Sequence, residues 1–198
     1  MKLLYTFAYI NILKAEEDAP QIRVTKIAHL DITVNGEPQE QGTVDIGLFG
    51  DQVPKTVKNF ETLCGDGFKR EGDEQVYSYN GTRIHRINKS FMLQAGDIIN
   101  QDGTGSISIY GDTFDDENFD LKHYDEQWVS MANNGPNTNG CQFFVLYDEA
   151  RFLDDEHVVF AKETVQSFFW KAERVVKAFH MTLAIEKLKT RSFSYNST

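Results

Sequence analysis

Between residues 68 and 160 no apolar run lasts more than a few positions. Segments 82–87, 91–93, 128–132, 142–146 and 157–160 are cut apart by turn chemistry, notably Gly103-Thr104-Gly105 and Asn133-Asn134-Gly135-Pro136. Glycine and asparagine accept the left-handed backbone that tight turns need, and proline presets φ. Such a stretch builds short strands rather than helices. Many short strands with one or two helices predict a mainly β fold, a closed or nearly closed antiparallel barrel.

The flanking segments add to this plan. Residues 22–34 (IRVTKIAHLDITV) and 43–49 (TVDIGLF) are β-branched and roughly alternating, with Asn35-Gly36-Glu37-Pro38 near their junction. They read as a β-hairpin with a longish loop. Pro54 followed by Val57, Phe60, Leu63 and Cys64 has the spacing of a short amphipathic helix, ended by Gly65-Asp66-Gly67. After residue 163 the apolar positions Val165, Phe168, Phe169, Ala172, Val175, Val176, Phe179 and Leu183 follow one face of a long helix, with Lys171, Glu173, Arg174 and Lys177 opposite. Packing on the protein's own barrel is the ordinary reading of this stripe; docking to a partner or a membrane surface is the sharper one.

The first fifteen residues form a separate unit. Lys2 precedes the apolar run 3–13 (LLYTFAYINIL), and Lys14-Ala15 leads into acidic Glu16-Glu17-Asp18. This pattern matches a secretory signal peptide, and the run is too short to span a bilayer. A buried N-terminal strand is the alternative, and Leu13 is a mediocre residue for the cleavage signal. The expected domains are therefore a signal peptide over 1–15, a main β domain over 22–162 and an amphipathic helical tail over 163–198.

Charge narrows the partners. The net charge is −10, with no Lys/Arg run long enough for a nucleic-acid patch, so phosphate backbones are repelled. From residue 161 onward the chain carries +4, which leaves −14 on the remainder. Cys64 and Cys141 are too few for a four-thiolate metal site and do not make a disulfide scaffold. They read as two free, buried thiols, with a single bridge as the alternative.

Three segments carry chemical information. The first is Ile84-His85-Arg86-Ile87 with Phe91-Met92-Leu93-Gln94-Ala95-Gly96-Asp97. The second joins Asp102-Gly103-Thr104-Gly105, Ser108-Ile109-Tyr110-Gly111 and Asp116-Glu117-Asn118-Phe119. The third runs from Ser130-Met131-Ala132-Asn133 through Gly140-Cys141-Gln142-Phe143-Phe144, then Phe152-Leu153-Asp154 and His157-Val158-Val159-Phe160. In this order and spacing, over about residues 25–162, the set resembles the cyclophilin family of peptidyl-prolyl cis/trans isomerases.

The resemblance implies an eight-stranded antiparallel barrel capped by helices, with a prolyl site in a groove on its outside. It implies Arg86 as the catalytic residue. Phe91, Met92, Gln94, Gly103, Ala132, Asn133, Gln142, Phe144, Phe152, Leu153 and His157 would bind the substrate. These residue types suit the chemistry. Rotation about an X-Pro bond is slow because it breaks amide conjugation, a barrier of about 18–20 kcal/mol. No covalent bond is cleaved, so neither metal nor cofactor is implied. In the twisted state the prolyl nitrogen regains its lone pair, and an always-charged guanidinium can donate to it. An apolar socket of Phe91, Met92, Phe144 and Leu153 favours that less polar state, while Gln94 and Asn133 grip the backbone. Acyl transfer by Cys141 lacks a nucleophile signature around Asn139-Gly140-Cys141-Gln142, and Asp112, Asp115, Asp116 and Glu117 lack calcium-loop spacing.

The chain also departs from the family pattern. Phe152 stands where the family often has Trp, which removes an indole donor used by cyclosporin; weakened cyclosporin binding is expected, with isomerisation kept. Ala95 and Ala161 replace usual glycines, Asn134 replaces a small residue beside the groove, and residues 69–77 (KREGDEQVY) form a longer polar loop. Residues 163–180 interpose the amphipathic stretch, residues 184–190 resemble the family's helix, and the usual last strand is missing. A barrel without it exposes unpaired edges unless the tail covers them.

The signal-like start and the run Gly103–Asp112 look most like secretory-pathway cyclophilins, which points to the endoplasmic reticulum lumen, with the cytoplasm as the alternative. The sequons at Asn80, Asn88 and Asn196 are compatible with that address. Proline-containing polypeptide clients, a monomeric state and no nucleic acid complete the expectation. A proline-recognising binding module or chaperone with little turnover is the rival function.

Overall fold

In the computed structural model the described residues are 22–34, 37–164, 179–183 and 194–195. The expected signal segment, residues 165–178 of the expected tail helix, and the family-like helix at 184–190 lie outside them. The strands are β1 (Ile22–Arg23), β2 (Lys26–Val34), β3 (Glu37–Leu48), β4 (Arg83–Ile84), β5 (Arg86–Asn88), β6 (Met92–Ala95), β7 (Trp128–Met131), β8 (Phe143–Leu146), β9 (Val159–Glu163), β10 (Phe179–Leu183) and β11 (Ser194–Tyr195). Helix α1 spans Pro54–Cys64, and a 3-10 turn spans Arg151–Leu153.

β2 and β3 form the expected hairpin, paired from Lys26 against Leu48 to Val34 against Glu37, with a register shift between Asp31 and Thr33. Nine of the described strands make one sheet in the order β4-β10-β2-β3-β9-β7-β8-β6-β5, and all neighbours in it pair antiparallel. The two strands at the ends of that order, β4 and β5, are separated in the chain by His85 alone, so the sheet curls back towards itself. The count exceeds the expected eight partly because the run 82–87 breaks at His85 into two strands.

The short apolar runs are explained by burial on both sheet faces. In β8, Phe143 and Val145 belong to an inner cluster, while Phe144 and Leu146 belong to an outer one. β6 splits the same way, with Leu93 and Ala95 inside and Met92 outside. A period of two that is apolar in both phases reads as an unbroken run. The outer cluster, which includes Phe49, Leu121, Trp128, Leu153 and Val159, forms the base on which the outward-facing groove rests.

α1 closes the inner cluster. Pro54 lies in its first turn, where a missing N–H costs nothing, and Val57, Phe60, Leu63 and Cys64 are buried. The Phe60 ring meets Tyr79, Phe143 and Phe160 at centroid distances of 5.4, 5.2 and 4.9 Å. Gly67, just past the helix, has φ +72°, and a Cβ there would lie 2.3 Å from the Tyr77 carbonyl oxygen. Only glycine fits that closing turn.

Two expectations about the C-terminus change. Phe179 and Leu183, assigned by periodicity to the helical stripe, belong instead to strand β10, which pairs with β2 along its length and with β4 at Phe179 and His180. The sequence Phe179-His180-Met181-Thr182-Leu183 alternates apolar and polar as a strand does. Five residues satisfy either period, and two open sheet edges decide between them. A late strand is therefore present where the sequence pattern left none. A second short sheet pairs Ile22 with Tyr195 and Arg23 with Ser194.

Ala95 and Ala161 sit in β6 and β9 and are not among the residues with positive φ, so the absent glycines cost no strain there. The polar loop after Phe68 is pinned at its base, where Phe68 and Tyr77 exchange backbone hydrogen bonds of 3.1 and 2.8 Å. Arg70 of this loop pairs with Asp112. Cys64 and Cys141 are free and buried, and burial pushes both thiols up, away from the thiolate a nucleophile needs.

Candidate active site

Strand register assembles the centre of the site. Arg86 of β5 stands opposite Gln94 of β6, Gln94 opposite Phe144 of β8, and Phe144 opposite Ser130 of β7. Directly opposed residues share a sheet face, so Arg86, Gln94 and Phe144 form one row across three strands. Met92, two positions before Gln94, lies on the same face.

That row borders a cavity of about 570 Å³ lined by His85, Arg86, Phe91, Met92, Gln94, Asp102, Gly103, Ala132, Asn133, Asn134, Phe144, Leu153 and His157. Its floor is apolar: Met92, Phe144 and Leu153 are buried, and Phe91 and Ala132 pack against the outer cluster. Arg86 is exposed at the wall. No set of three or more His, Cys, Asp or Glu among the described residues is arranged to hold a metal ion.

A chain of hydrogen bonds runs behind the wall. Gln142 Nε2 donates to the carbonyl oxygens of Gly103 and Gly105 at 3.0 and 2.7 Å. Gln94 Nε2 donates to Gln142 Oε1 at 2.8 Å, and Arg86 Nη1 donates to Gln94 Oε1 at 3.4 Å. Gly103 has φ +97°, and its Cα side abuts the His85 ring, which a Cβ would approach to 3.1 Å. Burial pushes the His85 imidazole below its ordinary value.

Phe144 is held between two histidines. His123 stacks on it at a centroid distance of 6.1 Å and an interplanar angle of 12°, and His157 packs T-shaped against it at 5.3 Å and 87°. His157 Nδ1 is 2.9 Å from the Met131 carbonyl oxygen, to which it donates. His123 is fully buried, with Nδ1 3.0 Å from Asp154 Oδ1 and Nε2 2.9 Å from Ser130 Oγ. Burial pushes its imidazole below the ordinary value, and the Asp154 carboxylate, which pulls the other way, does not overcome it. Asp154 also accepts from the His123 backbone N–H at 2.8 Å and pairs with Arg151, which anchors the turn that carries Leu153.

Most of the residues assigned by resemblance thus surround one cavity. Gln142 lies behind it, lining a small adjoining recess of about 40 Å³ with Gln94, Ala132 and Asn134. Phe152 does not line the cavity. It sits on the Arg151–Leu153 turn with Leu153 directed inward, is 69% exposed, and lies 5.6 Å from the Phe91 ring. The Asn133 side chain is committed within the protein, donating to the Glu156 carbonyl at 2.7 Å and accepting from Gly135 N–H at 3.3 Å.

His85 and Asp102 line the cavity without having been assigned to it. Strand alternation would turn His85 away from Arg86, but the break between β4 and β5 falls on His85. Asp102 adjoins the assigned Gly103, and that adjacency was the available signal.

The profile of the family described as "Cyclophilin type peptidyl-prolyl cis-trans isomerase/CLD" matches residues 29–191. Among curated proteins, "Peptidyl-prolyl cis-trans isomerase 11" of Caenorhabditis elegans is 46% identical, covering 69% of this chain and 72% of its own length. "Peptidyl-prolyl cis-trans isomerase CYP21-1" of Arabidopsis thaliana is 42% identical over 82% of this chain and 72% of its own. "Peptidyl-prolyl cis-trans isomerase H" of Mycosarcoma maydis is 53% identical over 61% of this chain and 76% of its own.

Proposed function

The chain belongs to the cyclophilin-type peptidyl-prolyl cis-trans isomerases, and we propose that it turns X-Pro bonds of folding polypeptides in the cavity beside Arg86. Isomerase activity follows from the family; the roles of individual residues are the proposal. The observation that carries it is the pairing of one exposed guanidinium with an apolar floor of Phe91, Met92, Phe144 and Leu153 around the same 570 Å³ space.

The prolyl ring seats on that floor, which removes water from the amide. Losing water disfavours the charge-separated resonance form and so weakens the partial double bond. As the bond twists, the prolyl nitrogen becomes an acceptor, and Arg86 donates to it. This contact exists only near the transition state, so it lowers the barrier without tightening substrate binding. Gln94 accepts from Arg86 and limits the directions in which the fork can point. Asn133 holds the peptide on the other side of the rotating bond through its main chain, since its amide is already engaged. His157 packs T-shaped against the Phe144 ring and acts in binding rather than as acid or base.

The curled sheet is taken to close as a barrel, a reading supported by the single residue between β4 and β5 and by β10 lying between β2 and β4. Cyclosporin is proposed to bind weakly here, because Phe152 supplies a ring but no N–H donor.

The direct test is catalysed cis/trans exchange in a proline-containing peptide. The chain is expected to accelerate it, and Arg86→Ala to lose most of that acceleration. Equal rates for both proteins, with peptide binding intact, would mark a proline-binding module instead.

A further inference from the structure

Asp97 is fully buried, yet its carboxylate is one of the best satisfied groups in the protein. Oδ1 accepts from the backbone N–H groups of Ile99 and Asn100 at 3.0 and 2.9 Å. Oδ2 accepts from those of Asp102, Gly103 and Gly105 at 3.2, 2.8 and 3.0 Å. Five donors from seven consecutive residues converge on one side chain. Burial works to raise its pKa, but those N–H groups prevail and hold the carboxyl well below the usual range. It is therefore an ionised acceptor, and the loop 99–105 is wound around it.

Two carbonyls of that same loop, on Gly103 and Gly105, receive Gln142 Nε2. Both donor hydrogens of the Gln142 amide are thus spent on the loop, which leaves Oε1 turned towards Gln94. Gln94 spends its own N–H on Gln142, which leaves its Oε1 for Arg86. An amide has one donor end and one acceptor end, so fixing the first amide fixes the second. The orientation of both glutamines is set by where the loop's carbonyls point, and those are set by Asp97.

We infer that Asp97 is a positioning residue for catalysis, aiming the Arg86 guanidinium through the loop 99–105, Gln142 and Gln94. The inference rests on Arg86 being the catalytic group. Asp97 touches neither substrate nor Arg86; it acts by giving the end of the relay one direction. If the loop loosens, Gln142 is free to reverse, and Arg86 loses the acceptor that restrains its fork. A small misplacement of a catalytic donor costs about a hundredfold in rate.

The test compares Asp97→Asn with wild type in peptide isomerisation, in the full chain, with native folding checked by thermal unfolding. Gly105→Ala is a second route to the same fault, because its Cβ would lie 2.3 Å from Asp97 Oδ1. Both are expected to lower kcat about tenfold to a hundredfold with KM within about twofold. In an Arg86→Ala background the same changes should alter the residual rate by less than about twofold, since nothing remains to be aimed. Loss of the same factor in both backgrounds, a rise in KM with kcat unchanged, or wild-type kinetics overturns the proposal. Failure of both variants to fold also overturns it, because Asp97 would then serve the fold. If Arg86→Ala alone also runs at the wild-type rate, the proposed role of Arg86 fails together with that of Asp97; if it is slow, only the role of Asp97 fails.

Discussion

Arg86 depends on its neighbours for more than proximity. A guanidinium on an exposed strand is free to sample many directions, and the carbonyl of Gln94 at 3.4 Å is what narrows them. Phe144 is similarly confined, between His123 and His157. That confinement carries a pH dependence. His85 and His123 both have folded-state values below the ordinary 6.5, chiefly because burial penalises their charged forms. Below that value the unfolded chain takes up protons that the folded chain refuses, so stability is full above about pH 6.5 and falls as pH drops through it. The thermal midpoint should decline between pH 7.5 and 5.5, and His123→Gln should flatten the decline; a midpoint that rises on acidification would contradict this. Phe152, exposed and tilted against the Phe91 ring, has the opposite character, since little constrains it. Phe152→Trp should leave peptide isomerisation within about twofold and tighten cyclosporin by up to about tenfold, the worth of one hydrogen bond. An unchanged inhibition constant would remove the indole explanation.

At the level of elements, α1 shows how distant segments are tied together. Val53 provides no side-chain cap, and the first helical N–H groups are served from 61 residues away. Glu117 accepts from Lys55 N–H at 2.8 Å, Thr56 N–H at 2.7 Å and Thr56 Oγ–H at 2.8 Å. A carboxylate there satisfies orphan donors and opposes the positive end of the helix dipole. Glu117→Ala should cost about 1–2 kcal/mol, read as a lower urea midpoint with an unchanged m-value. A midpoint equal to wild type would mean water replaces the carboxylate at no cost. The helix itself was legible in the sequence, because Pro54 and the spacing of Val57, Phe60 and Leu63 admit one reading. Its cap was not, because a contact across 61 residues leaves no local pattern. β10 is hidden for a different reason: Phe179-His180-Met181-Thr182-Leu183 fits both periods, and only the edges of β2 and β4 select the strand. The cavity residues were recognisable through an ordered motif set rather than through periodicity, which alone would make Phe144 and Leu153 ordinary core. His85 escaped because alternation fails at the residue that separates β4 from β5.

For the molecule as a whole, the sheet order makes residues 179–183 the link between β2 and β4. Removing the chain from residue 179 onward would leave both of those edges unpaired, and open edges invite association. The truncated protein should unfold at lower urea concentration and sediment as larger species, while the full chain does not. Equal stability and size for the two would mean that β10 contributes nothing to closure. The groove is built by β5, β6, β7 and β8, none of which pairs with β10, and the central chemistry can be examined in the intact protein. The most direct measurement is the rate of cis/trans exchange on a bound proline peptide, by exchange NMR, for wild type and Arg86→Ala, alongside the dissociation constant of the same peptide. A contact made only in the twisted state predicts a rate lower by about a hundredfold with the dissociation constant within about threefold. A dissociation constant weakened in proportion, with the bound exchange rate intact, would show Arg86 to be a binding residue and contradict the account.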